Sequence, residues 1–409
     1  MASAPVCCLD LDTFFVSVER LLDPRLIGSP VVVGAAPGER GVVTACSYEV
    51  RAFGVRSGMP IRDAVRLAPH AVYLPTRHGT YGPYAGRVRA VLERFCPVVR
   101  TASIDEFFLD FRGCERLYGR PGEPSPDATL LRVVREMRAA VQAEVGLPAS
   151  VGIGATRAVA KMASGRAKPA GVLQVCRGEE VAFASVLPVR RFPGIGPVAE
   201  ARLTAAGVHT LGQLLPHAHA AGWMGEAART VVVGLTGPVP DLGADRTAFH
   251  VLDTPGDAGG SLSHERTFFA DVGSVEQVEQ ALLGLVERVA SRARARGVRA
   301  ATVTLKLRYA DFETLTRSRG VPPTHDERTL WPIARSLLQA GWRRQTAVRL
   351  IGVALSRLTP PAAQLCLPLP ETRPPVGAAL DAVRARFGFE AVRMGTAPAT
   401  GRRRERPAP

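Results

Sequence analysis

Apolar and polar positions follow two periods along this chain. The run Val6-Cys7-Cys8-Leu9 is continuously apolar and stops at Asp10, as a buried strand would; beyond it Phe14, Val18 and Leu21 share a helical face. A helix is therefore expected over 13–22, stopped at Asp23-Pro24. Pro30 to Gly34 and Gly41 to Ala45 read as strands, and Met59-Pro60 opens a short helix ending near Pro69. Apolar Val98-Val99 and Phe107-Phe108-Leu109 enclose Ser103-Ile104-Asp105-Glu106, an acidic hairpin at the end of buried sheet. After the surface loop 120–126, Asp127 is expected to cap a helix carrying Leu130, Val134, Met137, Val141 and Val145 up to Gly146. Ala149 to Ile153 is a further strand, and Thr156 caps the helix that bears Lys161.

Farther on, Phe192-Pro193-Gly194-Ile195-Gly196 makes a glycine turn between helical segments over 192–214, with one helix at 199–206. Asp253 to Gly260 is a Pro/Gly/Asp-rich break. Val275, Val278, Leu282, Leu285, Val289 and Ala293 line one helix face before Gly297. Ala301, Val303, Leu305, Leu307 and Tyr309 then alternate with Thr302, Thr304, Lys306 and Arg308, which predicts a strand whose polar face carries hydroxyls and cations. Such a face can lie along a phosphate backbone or simply be solvated. From Pro360 onward the composition is Pro- and Ala-rich, and a flexible tail is expected.

The chemistry centres on carboxylates at strand ends. Asp-Glu alone is equally well an acidic turn, but Asp10 ends another buried run. If the two strands are neighbours, Asp10, Asp105 and Glu106 meet, and such a cluster suits divalent cations. Adjacent residues of a regular strand face opposite ways, so Asp105 and Glu106 can both take part only if the chain turns or bulges there.

At 409 residues and 46% hydrophobic content the chain can fill two to four domains. Its formal charge of +15 points to a polyanionic partner without distinguishing DNA, RNA or an anionic membrane. No long apolar run or cleavable leader is present, so a cytosolic protein is expected. The seven cysteines have no C-x-x-C spacing and read as core residues, with neither zinc nor disulfide. Lys161, Lys168 and Lys306 are the only lysines in a chain that otherwise uses arginine, which makes each informative.

Taken together, Asp10-Leu11-Asp12-Thr13-Phe14-Phe15, Arg40-Gly41-Val42-Val43, Ser47 through Pro60 and Ser103-Ile104-Asp105-Glu106 resemble the Y-family translesion DNA polymerases of the DNA polymerase IV type. The likeness continues through Lys161, Lys168-Pro169-Ala170-Gly171 and the 192–196 turn, in the family's order, over roughly residues 5 to 357. It implies an α+β multidomain right hand: an α/β palm at 1–14 and 76–166, small fingers at 15–75, a helical thumb with a helix-hairpin-helix at 167–240, an α/β little finger at 246–357 and a tail at 358–409. It also implies DNA-dependent, low-fidelity DNA synthesis; no second, exonuclease-like carboxylate cluster is apparent, so no proofreading is expected, and a monomer is the default expectation.

By the same resemblance, Asp10, Asp105 and Glu106, with the Leu11 carbonyl, would hold two Mg²⁺ ions. Tyr48, Arg51 and Lys161 would meet the incoming triphosphate, and Phe15 would be the ring that excludes a 2′-hydroxyl, with Phe14 as core. Gly194 and Gly196 would present amides to primer-template DNA, and Lys306 and Arg308 would line the little finger's DNA face. Gln364 to Leu369 resembles a sliding-clamp docking peptide. Ala45 and Ser47 stand where the family commonly has Thr and often has Asn, so one triphosphate contact is in doubt, and Thr44 replaces it only with a register shift. The rivals are a catalytically inactive scaffold in a mutagenesis complex, another palm-type nucleotidyl transferase or cyclase, and a plain helix-hairpin-helix DNA binder; the first should lack a carboxylate, and the others leave the later motifs or the acidic cluster without a role.

Overall fold

A computed structural model describes residues 5–238, 260–343, 346–360 and 376–394. The chain divides into two units, Met1–Leu252 and Asp253–Pro409. In the first, β1 (Val6–Leu11) runs into α1 (Phe14–Leu22), followed by β2 (Val31–Gly34), β3 (Val43–Cys46), α2 (Tyr48–Arg51), α3 (Ile61–Leu67) and β4 (Val72–Pro75). Then come α4 (His78–Phe95), β5 (Val98–Thr101), β6 (Glu106–Asp110), α5 (Glu115–Tyr118), α6 (Pro126–Val145), β7 (Ala149–Gly154), α7 (Arg157–Ala167) and β8 (Val172–Gln174). The unit closes with α8 (Glu180–Ser185), α9 (Pro197–Ala205), α10 (Leu211–Leu214) and α11 (Gly222–Thr236).

The main sheet has the order β5-β6-β1-β7-β8, with β1 antiparallel to both neighbours. Because side chains alternate across it, Cys7, Leu9 and Leu11 enter a core with α4 and α6, whereas Val6 and Cys8 face the opposite side with Phe108 and Ala160 of α7. Asp10 continues the Cys8 row, on the side that α7 covers. Close packing of α7 depends on Gly152, where an added Cβ would lie 2.0 Å from the Ala160 carbonyl oxygen and 2.1 Å from the Ser164 nitrogen. A smaller sheet, β3-β2-β4, is built on Val32, Val43, Cys46 and Val50, and α7 shares a further core with the helices after β8.

The second unit comprises β9 (Ser261–Val272), α12 (Val275–Ala295), β10 (Arg299–Tyr309), β11 (Thr314–Thr324), α13 (Glu327–Gly341), β12 (Val348–Thr359) and α14 (Gly377–Phe387). Its sheet, ordered β11-β10-β12-β9, buries Val303, Leu305, Leu307 and Tyr309 with α12 and α13. A register shift between Ala300 and Thr302 makes Ala300 the buried residue, so the inward row does not extend back to Ala301.

Some local expectations change. Ser125, not Asp127, caps α6: its hydroxyl accepts from the Ala128 amide at 3.1 Å, with Pro126 first in the helix and Asp127 in the first turn. Part of the stretch expected to be a flexible tail is ordered, since α14 packs on α12. Residues 364–369, the terminal arginines and nearly all of the 253–260 break lie outside the described residues.

Candidate active site

The strand register sets the site. Asp10 is opposite Glu106 on one side and Ser150 on the other, so Asp10 and Glu106 are cross-strand neighbours on the face covered by α7. The chain turns through Ser103 to Asp105 between β5 and β6, and the Leu11 amide donates to the Asp105 carbonyl at 2.9 Å. The expected turn is present, and it brings Asp105 to the end of β1 beside Asp10.

Two lysines neutralise this acidic edge. Thr156 caps α7 through the Val159 amide at 3.2 Å, and Lys161, on its second turn, donates to both Glu106 oxygens at 2.8 and 2.6 Å. Lys168 reaches Asp10 at 2.5 Å from the loop after α7. Burial pushes the Asp10 carboxyl up to about 6; Lys168 works against this, and the charges of Asp105 and Glu106 add to it. Burial, the largest single influence, disfavours the Lys161 ammonium, but its hydrogen bonds to Glu106 together with the charges of Glu106 and Asp10 raise its pKa on balance.

The Asp105 carboxylate accepts from the Ser103 hydroxyl instead of joining the other two. Among the described residues, no group of three or more His, Cys, Asp or Glu side chains is gathered tightly enough to hold a metal ion. The donor chemistry nevertheless fits a hard divalent cation: carboxylate oxygens at one strand edge, with Asp10 partly buried at an energetic cost that a cation offsets. Holding one with all three carboxylates requires Asp105 to leave Ser103 and the lysines to yield their places.

The smaller sheet supplies the other wall. Ser47 caps α2, accepting from the Val50 amide at 3.4 Å. Tyr48 donates its hydroxyl to Asp12 at 2.9 Å, and the Arg51 guanidinium lies 4.9 Å from the Tyr48 ring centroid. Burial first and Asp12 second raise the Tyr48 pKa. Thr44 falls at a register irregularity between β2 and β3, and its hydroxyl pairs with that of Thr76 at 2.6 Å. Phe14 is buried, as expected of core, while Phe15 is partly exposed and stacks on Tyr81 with centroids 3.9 Å apart and planes at 10°.

A model of the impB/mucB/samB family matches residues 9–165, and one of the C-terminal domain of that family matches 260–367. The DNA polymerase IV of Dehalococcoides mccartyi strain CBDB1 is 35% identical over 401 residues, covering 97% of this chain and 98% of that protein. This chain is a Y-family DNA polymerase of the DNA polymerase IV type. The DNA polymerase IV of Moorella thermoacetica is 37% identical over 358 residues, covering 86% of this chain and 85% of the relative. Among solved structures, a Y-family polymerase chimera of Dbh and Dpo4 superposes with a TM-score of 0.72 at 23% identity, covering 87% of this chain and 99% of the chimera. The DinB crystal structure from Sulfolobus solfataricus gives 0.54 at 24%, covering 86% and 98%. These likenesses agree with a multidomain α+β fold of the Y-family polymerase kind.

The remaining anticipated contacts fall elsewhere in the polymerase. Gly194, at φ 102°, and Gly196, the residue before α9, are exposed at the glycine turn. In the second unit Lys306 pairs with both Glu265 oxygens at 2.9 Å, meeting across Gly352 of the intervening strand, and Arg308 donates to Thr314 at 2.9 Å. Two residues escaped the sequence reading as site residues, Lys168 and Asp12. The rarity of lysine was a signal for the first; nothing local distinguished the second.

Proposed function

We propose that this polymerase extends a primer opposite damaged template DNA from deoxynucleoside triphosphates, with low fidelity and without proofreading. The observation that carries the reading is the Asp10–Glu106 register, with Lys161 and Lys168 drawn onto it. Asp10, Asp105, Glu106 and the Leu11 carbonyl would hold two Mg²⁺ ions. When bound, these would lower the cost of deprotonating the primer 3′-hydroxyl and screen the charge of the departing pyrophosphate.

The protein's own groups do the rest. Lys161 and Lys168, released from their carboxylates, are point charges for phosphate oxygens, and Arg51 offers a planar fork. Phe15, backed by Tyr81, would sit under the nucleotide sugar and leave no volume for a 2′-hydroxyl. The amides at Gly194 and Gly196, at the amino end of α9, would take a DNA phosphate. The outer sheet face bearing Lys306 and Arg308 would follow the duplex backbone. Gln364 to Leu369 would dock a sliding clamp, and the working unit would be a monomer in the cytoplasm. That no helix among the described residues is long and apolar enough to cross a membrane is compatible with this.

Primer extension with Mg²⁺ on intact and lesion-bearing templates tests the reading, comparing the protein with Asp105→Ala/Glu106→Ala. Template-dependent extension in the first and none in the second is expected, with primer-template binding retained by both. If both bind DNA and neither extends it, the proposal fails.

A further inference from the structure

Asp12 is 1% exposed and lies two residues beyond Asp10, at the strand-to-helix turn where Thr13 adopts φ 45°. A β-branched residue in the left-handed region is strained, and the turn is held by the Ser17 hydroxyl, which donates to the Asp12 carbonyl at 2.7 Å. The Asp12 carboxylate gathers three donors from three parts of the chain. The Ser150 hydroxyl of β7 reaches its two oxygens at 3.0 and 2.8 Å, the Ala170 amide donates at 2.7 Å, and Tyr48 donates at 2.9 Å. Ser150 belongs to the main sheet, Ala170 lies two residues after Lys168, and Tyr48 opens the short helix that ends at Arg51. Two of these partners thus border side chains that would meet the triphosphate.

We infer that Asp12 is a positioning residue for the incoming nucleotide: by fixing the Tyr48 hydroxyl to the main sheet it sets the ring against which Arg51 lies. The Arg51 guanidinium rests on the Tyr48 face, and that ring is anchored at its far end by Asp12. The four-residue α2 is too short to hold its own orientation, and the anchor at its first residue adds to the Ser47 cap, the Arg20–Glu49 pair and the buried Val50 in fixing it. The inference rests on the polymerase reading, in which Arg51 takes a triphosphate oxygen, and it assigns a task to a buried carboxylate that the chemistry itself does not use.

The test is a double-mutant cycle read as KM and kcat for one deoxynucleoside triphosphate on a fixed primer-template, with Asp12→Asn, Tyr48→Phe and the pair. Loss of a hydrogen bond to a charged group is expected to raise KM about tenfold in Asp12→Asn, with kcat changed by less than about threefold. In the Tyr48→Phe background the same substitution should change KM by less than about twofold, because the contact it removes is already gone. Ser150→Ala is the milder probe should Asp12→Asn not fold. It loosens the same carboxylate and should raise KM about two- to threefold with Tyr48 present and leave it unmoved in the Tyr48→Phe background. Equal KM effects in the two backgrounds, or a lowered Tm with KM unmoved, would overturn the inference. A wild-type protein that extends no primer would instead sink the polymerase reading.

Discussion

Phe15 illustrates how much one side chain owes to its support. Its ring lies flat on Tyr81, whose hydroxyl donates to Glu19 at 2.8 Å, and Glu19 is itself paired with Arg77. A ring braced in this way cannot rotate away cheaply, which the steric gate proposed for Phe15 requires. Phe15→Ala should therefore raise ribonucleotide use relative to deoxyribonucleotide use by about 10- to 200-fold, measured as the ratio of kcat/KM values. Tyr81→Leu, which keeps Phe15 and removes its backing, should give a smaller shift in the same direction. At this scale the sequence revealed the groups that end apolar runs, because a carboxylate there contrasts with its neighbours: Asp10 and Glu106 were legible, and so was their meeting. Asp12 was not, since Asp-Thr before a helix normally reads as a cap, and its partners Ser150 and Ala170 are 138 and 158 residues away in the chain. The side-chain state of Asp105 was equally hidden, because a neighbouring serine and a metal compete for the same oxygens.

Between elements, the placement of Lys161 depends on how closely α7 lies on β7. Gly152 permits that approach, and its absent Cβ would fall against helix backbone, which cannot be moved by rotating a side chain. Gly152→Val should therefore cost at least about 1–3 kcal/mol by chemical denaturation and lower extension activity, as Lys161 is carried away from Glu106. The α14 segment makes a second case. Arg384 is buried and donates to the equally buried Glu287 at 2.7 Å, Glu287 also accepts from the Met394 amide at 2.9 Å, and Arg294 joins Glu327 to Asp381. Glu287→Ala leaves the buried Arg384 with only the more distant Glu327 and Asp381 carboxylates, at 3.7 and 4.0 Å, so the second unit should lose about 1.5–3 kcal/mol in denaturant titration. The apolar pair Glu287→Leu/Arg384→Leu should recover much of that loss. A Pro-rich composition around 360–375 masked this helix in the sequence: its anchors are ion pairs to residues 87 and 97 positions earlier, and no window of local hydrophobicity contains them. The helix α6, by contrast, was legible throughout its apolar face, and only its cap was misplaced, because Ser and Asp flank the same proline.

For the whole molecule, the excess of 15 positive charges makes DNA affinity a function of salt. Each phosphate neutralised releases condensed counterions and contributes about −0.9 to the slope of log Kobs against log salt on duplex DNA. The charges do not count equally, and the structure indicates which should. Arg308 donates to a neutral threonine, so Arg308→Ala should reduce the magnitude of the slope by about one. Lys306 already faces Glu265 across Gly352, and a carboxylate beside a phosphate would repel it, so Lys306→Ala should change the slope by less than Arg308→Ala does. Glu265→Gln separates pairing from a general effect of charge. It frees the ammonium, and it should both tighten binding at low salt and raise the effect of Lys306→Ala towards that of Arg308→Ala. The measurement is fluorescence anisotropy of labelled primer-template between about 50 and 200 mM salt, the range over which counterion release dominates. Identical slopes for Lys306→Ala with Glu265 intact and in the Glu265→Gln background would show that this face does not lie along the DNA backbone, and the binding surface would then have to be sought among the other arginines of the chain.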